Sequence, residues 1–134
     1  MADATLAGAL GDERYLSLTT FRASGEGVPT PVWFVPQADG AVLVYTEGSS
    51  GKVKRLRRNP ACTVAACDAR GRVHGEELAA TAEVLDGQGP EVFAQLRERY
   101  GWQARAFDLL GGLLYRRRRG QAVGLRVAGA ERTE

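Results

Sequence analysis

Histidine and cysteine are scarce in this chain, and that scarcity removes several kinds of chemistry at once. His74 is the one histidine, and Cys62 and Cys67 are the two cysteines. Neither Cys-x-x-Cys nor His-x-x-x-His spacing is present, so a zinc site is not expected. The two cysteines stand five apart in one strand-like run and therefore point to opposite faces. They read as two reduced core residues, not as a disulfide or a metal pair. His74 lies in Arg70-Gly-Arg-Val-His-Gly75, a turn entering a strand, and reads as a strand-end side chain. With one histidine and no nucleophile elbow, a Ser-His-Asp machine is not expected. No Gly-x-Gly-x-x-Gly opens a helix, and no Walker-type loop is present. No apolar run approaches the ~20 residues that span a bilayer. The first eight residues lack the basic and apolar segments of a secretory signal. A cytoplasmic location, without membrane association, is the expectation.

What remains is a chain sized for one domain, 1–134, with a real core. Its hydrophobic content of 44% and charged content of 25% are those of a globular protein. Net charge is +2, too small for a nucleic-acid binder, and the basic helix lacks interleaved aromatics. The positive charge is clustered, however. Lys52, Lys54, Arg55, Arg57 and Arg58 form one group and the arginines at 116–119 another. Two local clusters suit a discrete anionic ligand, or else two solvated helix faces.

Alternation and turn chemistry set out the elements. Residues 3–10 read as a short helix. Residues 14–22 alternate Leu16, Leu18 and Thr20 on one face and read as a strand. Residues 31–35 read as a second strand bracketed by prolines. Asp39-Gly40 is a hairpin turn, and 41–46 reads as a central strand, apolar on both faces. A helix over 50–58 ends at Asn59-Pro60. Strands are expected at 61–67, 78–85 and 122–127. A helix opening near Pro90 buries Val92, Phe93, Leu96 and Tyr100, and 102–115 reads as another helix. The hairpin-type turns are too short for βαβ crossovers. The fold expected is mainly β: a six-stranded antiparallel split barrel with flanking helices.

The most informative stretch is Val44-Tyr-Thr-Glu-Gly-Ser-Ser-Gly-Lys-Val-Lys-Arg-Leu-Arg-Arg-Asn-Pro60. A strand ends in a hydroxyl- and glycine-rich loop, and a basic helix follows. Backbone N–H groups, hydroxyls and Lys52 gather at one helix N-terminus, an arrangement suited to a phosphate.

Several fragments, taken in order, carry a resemblance. They are Leu18-Thr-Thr-Phe-Arg22, Gly27-Val-Pro-Thr-Pro-Val-Trp-Phe34, Gly40-Ala-Val-Leu-Val-Tyr-Thr46, Ser50-Gly-Lys52, Leu56 and Asn59-Pro60. The chain resembles the split-barrel flavin and deazaflavin oxidoreductases related to pyridoxamine 5'-phosphate oxidase, most of all their short deazaflavin-dependent branch. The resemblance implies that Tyr45, Thr46, Ser50, Gly51 and Lys52 hold a cofactor phosphate, with Arg55 reinforcing Lys52. Gly51 stands where the vitamin oxidases carry arginine. Thr30 and Val35 replace two further charged positions of those oxidases. The segment Val32, Trp33 and Phe34 is similar to the strand against which the deazaflavin ring lies. The implied cofactor is coenzyme F420, with FMN as the alternative. The arginines at 116–119 are candidates for the glutamate tail of F420. A homodimer with cofactor sites at its interface is also implied, with Trp33, Trp102 and Phe107 as interface candidates. The implied activity is hydride transfer between reduced F420 and a small organic acceptor. A non-catalytic F420 carrier would need the same pocket.

Overall fold

The computed structural model describes residues 5–101 and 122–130; the second-half helix expected at 102–115, Trp102, Phe107 and the arginines at 116–119 lie outside them. Within the described residues the elements are α1 (Leu6–Leu10), β1 (Tyr15–Phe21), β2 (Gly27–Val32), β3 (Phe34–Pro36) and β4 (Val42–Glu47). They continue with α2 (Gly51–Arg58), β5 (Ala61–Cys67), β6 (Leu78–Leu85), α3 (Gly89–Tyr100) and β7 (Ala122–Gly129).

All the strands join one antiparallel sheet in the order β2-β1-β5-β6-β7-β4-β3. The two end strands of that order, β2 and β3, are consecutive in the chain and separated by Trp33 alone. A sheet whose opposite edges are joined by one residue must curl back on itself, which makes it barrel-like.

This is a seven-stranded sheet, where six strands were expected. The extra strand comes from the stretch that reads as one strand over 31–35. Its first part pairs with β1 and its last part with β4, and Trp33 marks the break. Proline explains both edges. Pro29, Pro31 and Pro36 have no N–H to give to a ladder and are tolerated where a strand has a neighbour on one side.

The turns follow their sequence signals. Gly40 has φ of 95°, and the Gln37 N–H donates to the Ala41 carbonyl across the Asp39-Gly40 turn at 2.8 Å. The Ala41 N–H donates to the Asp39 carboxylate at 3.0 Å, an Asx-type brace of the same turn.

The main core fills the inside of the curl. Leu16 and Leu18 of β1, Val42 and Val44 of β4, Val64 of β5, and Leu125 and Val127 of β7 are buried there. Alternation along each strand puts them on one face. Leu6 and Leu10 of α1 and Val53 and Leu56 of α2 cover the same core. Cys62 faces this core and Cys67 lies outside it; both are free, buried thiols. Burial pushes the Cys62 thiol up to about 12, so it behaves as a small apolar residue.

α3 packs on the opposite face of the sheet over a second, smaller cluster. Val35, Leu96 and Tyr100 are buried there, with Trp33, Tyr45 and Phe93 packed against them. The helix comes very close to β7. A Cβ on Gly89 would stand 2.6 Å from the Ala122 carbonyl oxygen, and one on Gly124 would stand 2.7 Å from Val92.

Candidate functional site

β4 leaves the barrel at Thr46 and Glu47, turns, and restarts as α2 at Gly51. Ser50 is the N-cap, with extended backbone, and the Ser50 N–H donates to the Glu47 carbonyl at 3.0 Å. A serine in this position ordinarily accepts from the second or third helical N–H. Here it makes no cap bond. Its hydroxyl oxygen is buried and has no hydrogen-bond partner. The first N–H groups of α2 therefore go without the usual intrachain acceptor.

Cations and hydroxyls converge on that helix end. Lys52 Nζ donates to Thr46 Oγ1 at 3.3 Å. Thr46 is buried on the inward face of β4, in line with Val42 and Val44. Arg55 Nε donates to Thr20 Oγ1 at 2.7 Å. Thr20 is fully buried at the end of the inward row that begins with Leu16 and Leu18. The Arg55 side chain runs back along its own helix, so that a Cβ on Gly51 would stand 2.9 Å from Arg55 Nη1. Burial holds Lys52 below the ordinary lysine range, and the Arg55 charge adds to this against the opposing pull of Glu47.

Four of the five basic side chains of α2 thus divide in two pairs. Lys52 and Arg55 turn toward Thr46 and Thr20. Arg57 instead pairs with Asp86 at 2.6 Å, and Arg58 donates to the Phe21 carbonyl at 3.0 Å, both at exposed positions. Those two fasten the helix to its neighbours.

The other candidate residues are placed differently. Tyr45 and Thr46 sit on opposite faces of β4; the Tyr45 ring packs under α3 with its centroid 5.0 Å from that of Phe93. Val32 is half-buried and packs against the main core. Trp33 stacks on Tyr100, centroids 4.6 Å apart and planes 10° from parallel. Phe34 is fully buried in the main core. The Phe34 N–H donates to the Tyr100 hydroxyl at 3.2 Å, and that hydroxyl lies 2.7 Å from the Arg14 carbonyl and 3.0 Å from the Phe34 carbonyl. Phe34 thereby contributes core and strand end. The structure brings together Thr46, Ser50, Gly51, Lys52 and Arg55, and it sets Tyr45, Trp33 and Phe34 under α3 and in the core.

Two residues of this arrangement are not among the candidates drawn from sequence. Thr20 carried a signal: a hydroxyl at the third position of an inward-facing row must find a partner. Tyr100 was expected in the buried stripe of α3, but nothing local says where its hydroxyl goes.

His74 Nε2 lies 2.9 Å from the Glu13 carboxylate at an exposed position, and it takes no part in this site. Among the described residues no group of three His, Cys, Asp or Glu side chains could hold a metal ion. No described helix is long and apolar enough to cross a membrane.

The model for the family described as pyridoxamine 5'-phosphate oxidase matches residues 2–130. No curated protein matches the chain by sequence. Solved structures share its fold. One is a conserved hypothetical protein of Mycobacterium tuberculosis, at a TM-score of 0.67 and 22% identity, over 98% of this chain and 82% of that one. Another is an F420 reductase, at 0.66 and 14% identity, over 98% and 97%. A third is the haem storage protein of Vibrio cholerae, at 0.62 and 16% identity, over 96% and 92%. At these identities the likeness speaks for fold, and the fold is one that carries different ligands.

Proposed function

Since the chain belongs to the pyridoxamine 5'-phosphate oxidase family, we propose that it is an oxidoreductase that binds coenzyme F420 by its phosphate at the N-terminus of α2. The acceptor in this reading is a small organic molecule. The observation that carries it is the buried, unpartnered Ser50 hydroxyl at a helix end where Lys52 also converges. A phosphoryl oxygen would satisfy that hydroxyl and the first N–H groups of α2 together. An F420 reductase is among the proteins that share the fold, so the fold admits this cofactor.

In this reading Lys52 supplies a charge-assisted bond to the phosphate, and Thr46 holds its ammonium in place. Thr46 and Ser50 add hydroxyls from either side. Val32 and Trp33 lie at the join of β2 and β3 and are the proposed neighbours of the ring. When bound, the deazaflavin supplies the hydride chemistry itself. The described site contains no histidine or cysteine, so the chain's part is to hold, orient and exclude water. The reading includes a homodimer with cofactor sites at its interface, which sedimentation of the free chain would check.

The test is a fluorescence titration with F420, with FMN in parallel, on the natural chain and Lys52→Ala. Saturable F420 binding, weak FMN binding and a loss of about 1.5–3 kcal/mol in the variant are expected. Preference for FMN would move the chain to the flavin branch. An unchanged dissociation constant in Lys52→Ala would remove Lys52 from the site.

A further inference from the structure

Arg55 is oriented against the grain of its own helix. The positive end of a helix dipole lies at its N-terminus, where cations are disfavoured, and basic side chains belong near the C-terminus. Arg57 and Arg58 obey that rule; Arg55, in the same last turn, does not. Its guanidinium lies back over Gly51, within the first turn. Two features hold it there. The Thr20 hydroxyl accepts from Nε at 2.7 Å. Gly51 leaves the space that any side chain would take, since a Cβ would stand 2.9 Å from Nη1.

The guanidinium pairs with no carboxylate among the described residues. It shares the helix end with Lys52, whose proton affinity is lowered first by burial and then by the Arg55 charge, against the pull of Glu47. The buried Ser50 hydroxyl beside them has no partner. Two cations against the one carboxylate of Glu47, with an orphaned hydroxyl, at the positive end of a helix make an arrangement that a further anion would stabilise.

We infer that Gly51 and Thr20 are positioning residues that place the Arg55 guanidinium as the second cation of a phosphoryl-binding site shared with Lys52 and Ser50. Gly51 gives the guanidinium its clearance, and Thr20 fixes its Nε so that the two Nη groups face the helix end. The inference rests on the phosphate end of the reading proposed above, and it would hold for any ligand with an exposed phosphoryl group.

The experiment measures binding of inorganic pyrophosphate and of F420 to the natural chain, Gly51→Ala, Thr20→Val and Thr20→Ser. Gly51→Ala is the decisive variant. Its added methyl meets the far end of a flexible side chain, and alanine suits a helix better than glycine. The melting temperature of Gly51→Ala should hold or rise while affinity for both probes falls about ten-fold, the loss of one charge-assisted bond. Thr20→Val should lose a similar factor and Thr20→Ser should recover it, because serine keeps the hydroxyl. Natural-like affinity in both Gly51→Ala and Thr20→Val would overturn the inference. Pyrophosphate binding that is sensitive to Gly51→Ala, without F420 binding, would sink the cofactor reading and leave the inference standing. Binding of neither probe by the natural chain would overturn both.

Discussion

Lys52 holds its ammonium in a half-buried place beside another cation, and this sets its pH behaviour. Burial, then Arg55, lowers its proton affinity, and Glu47 offsets part of that. The folded state therefore releases this proton at a lower pH than the unfolded chain does. Between the two values the unfolded chain holds more protons, so stability rises with pH across that window. Below the window, charged Lys52 detracts from stability. Lys52→Met should thus raise the melting temperature of the ligand-free protein at pH 7 while weakening binding of a phosphoryl ligand. Anion affinity should fall as pH rises through a midpoint below that of a free lysine, and Lys52→Arg should abolish this alkaline limb. Thermal melting of Lys52→Met, and a pH titration of F420 affinity on the natural chain and Lys52→Arg, check these outcomes. A loss of melting temperature in Lys52→Met would show that the ammonium is well compensated without a ligand.

At the scale of elements, α3 is the piece whose docking decides the rest. Its buried face closes the second cluster, and Tyr100 reaches the place where β2 gives way to β3. One hydroxyl there serves the Phe34 N–H and faces the carbonyls of Phe34 and Arg14. Trp33 stacks on the same ring. Arg99 extends the fastening, donating to the Glu13 carbonyl at 2.6 Å. Tyr100→Phe keeps the ring and the stack but leaves buried backbone groups unpaired. It should cost about 1–3 kcal/mol in chemical denaturation. The change should also speed amide exchange at Phe34, since that N–H loses its acceptor. An unaltered exchange rate would mean that another group takes over.

The curl of the whole sheet brings distant residues to one end of the molecule. Thr20 stands on β1 and Thr46 on β4, far apart in strand order, and α2 meets both through Arg55 and Lys52. A ligand seated there would join two parts of the sheet and the helix that crosses them. It would stabilise the molecule as a unit by mass action. At 100 times its dissociation constant, F420 should add about 2.7 kcal/mol, which corresponds to a rise of about 10 °C in melting temperature for a chain of this size. Calorimetry with and without the cofactor checks this. A shift confined to one of two separate transitions would show that the site is not coupled to the whole fold.

Much of this was legible in the sequence, for local reasons. The strands Ala61–Cys67 and Leu78–Leu85 stand where alternation and turn residues put them, because those signals act over a few residues. The same holds for α2, whose end is fixed by Asn59-Pro60, and for the loop that brings Ser50 and Lys52 to its N-terminus. Other features depended on the closed sheet. Nothing local splits the stretch around Trp33 into two strands; the split follows from which neighbour each half pairs with. Tyr45 and Thr46, adjacent in sequence, are parted by the period-two alternation once α3 covers one face and the core the other. Thr20 meets Arg55 across 35 positions of chain, and Tyr100 meets Phe34 across 66. The sequence by itself determined most of the described strands, their inward rows and the basic helix with its hydroxyl loop. Tertiary structure alone decided which of those cations turn to the helix end, because that depends on a hydroxyl brought by another strand and on the space left by one glycine.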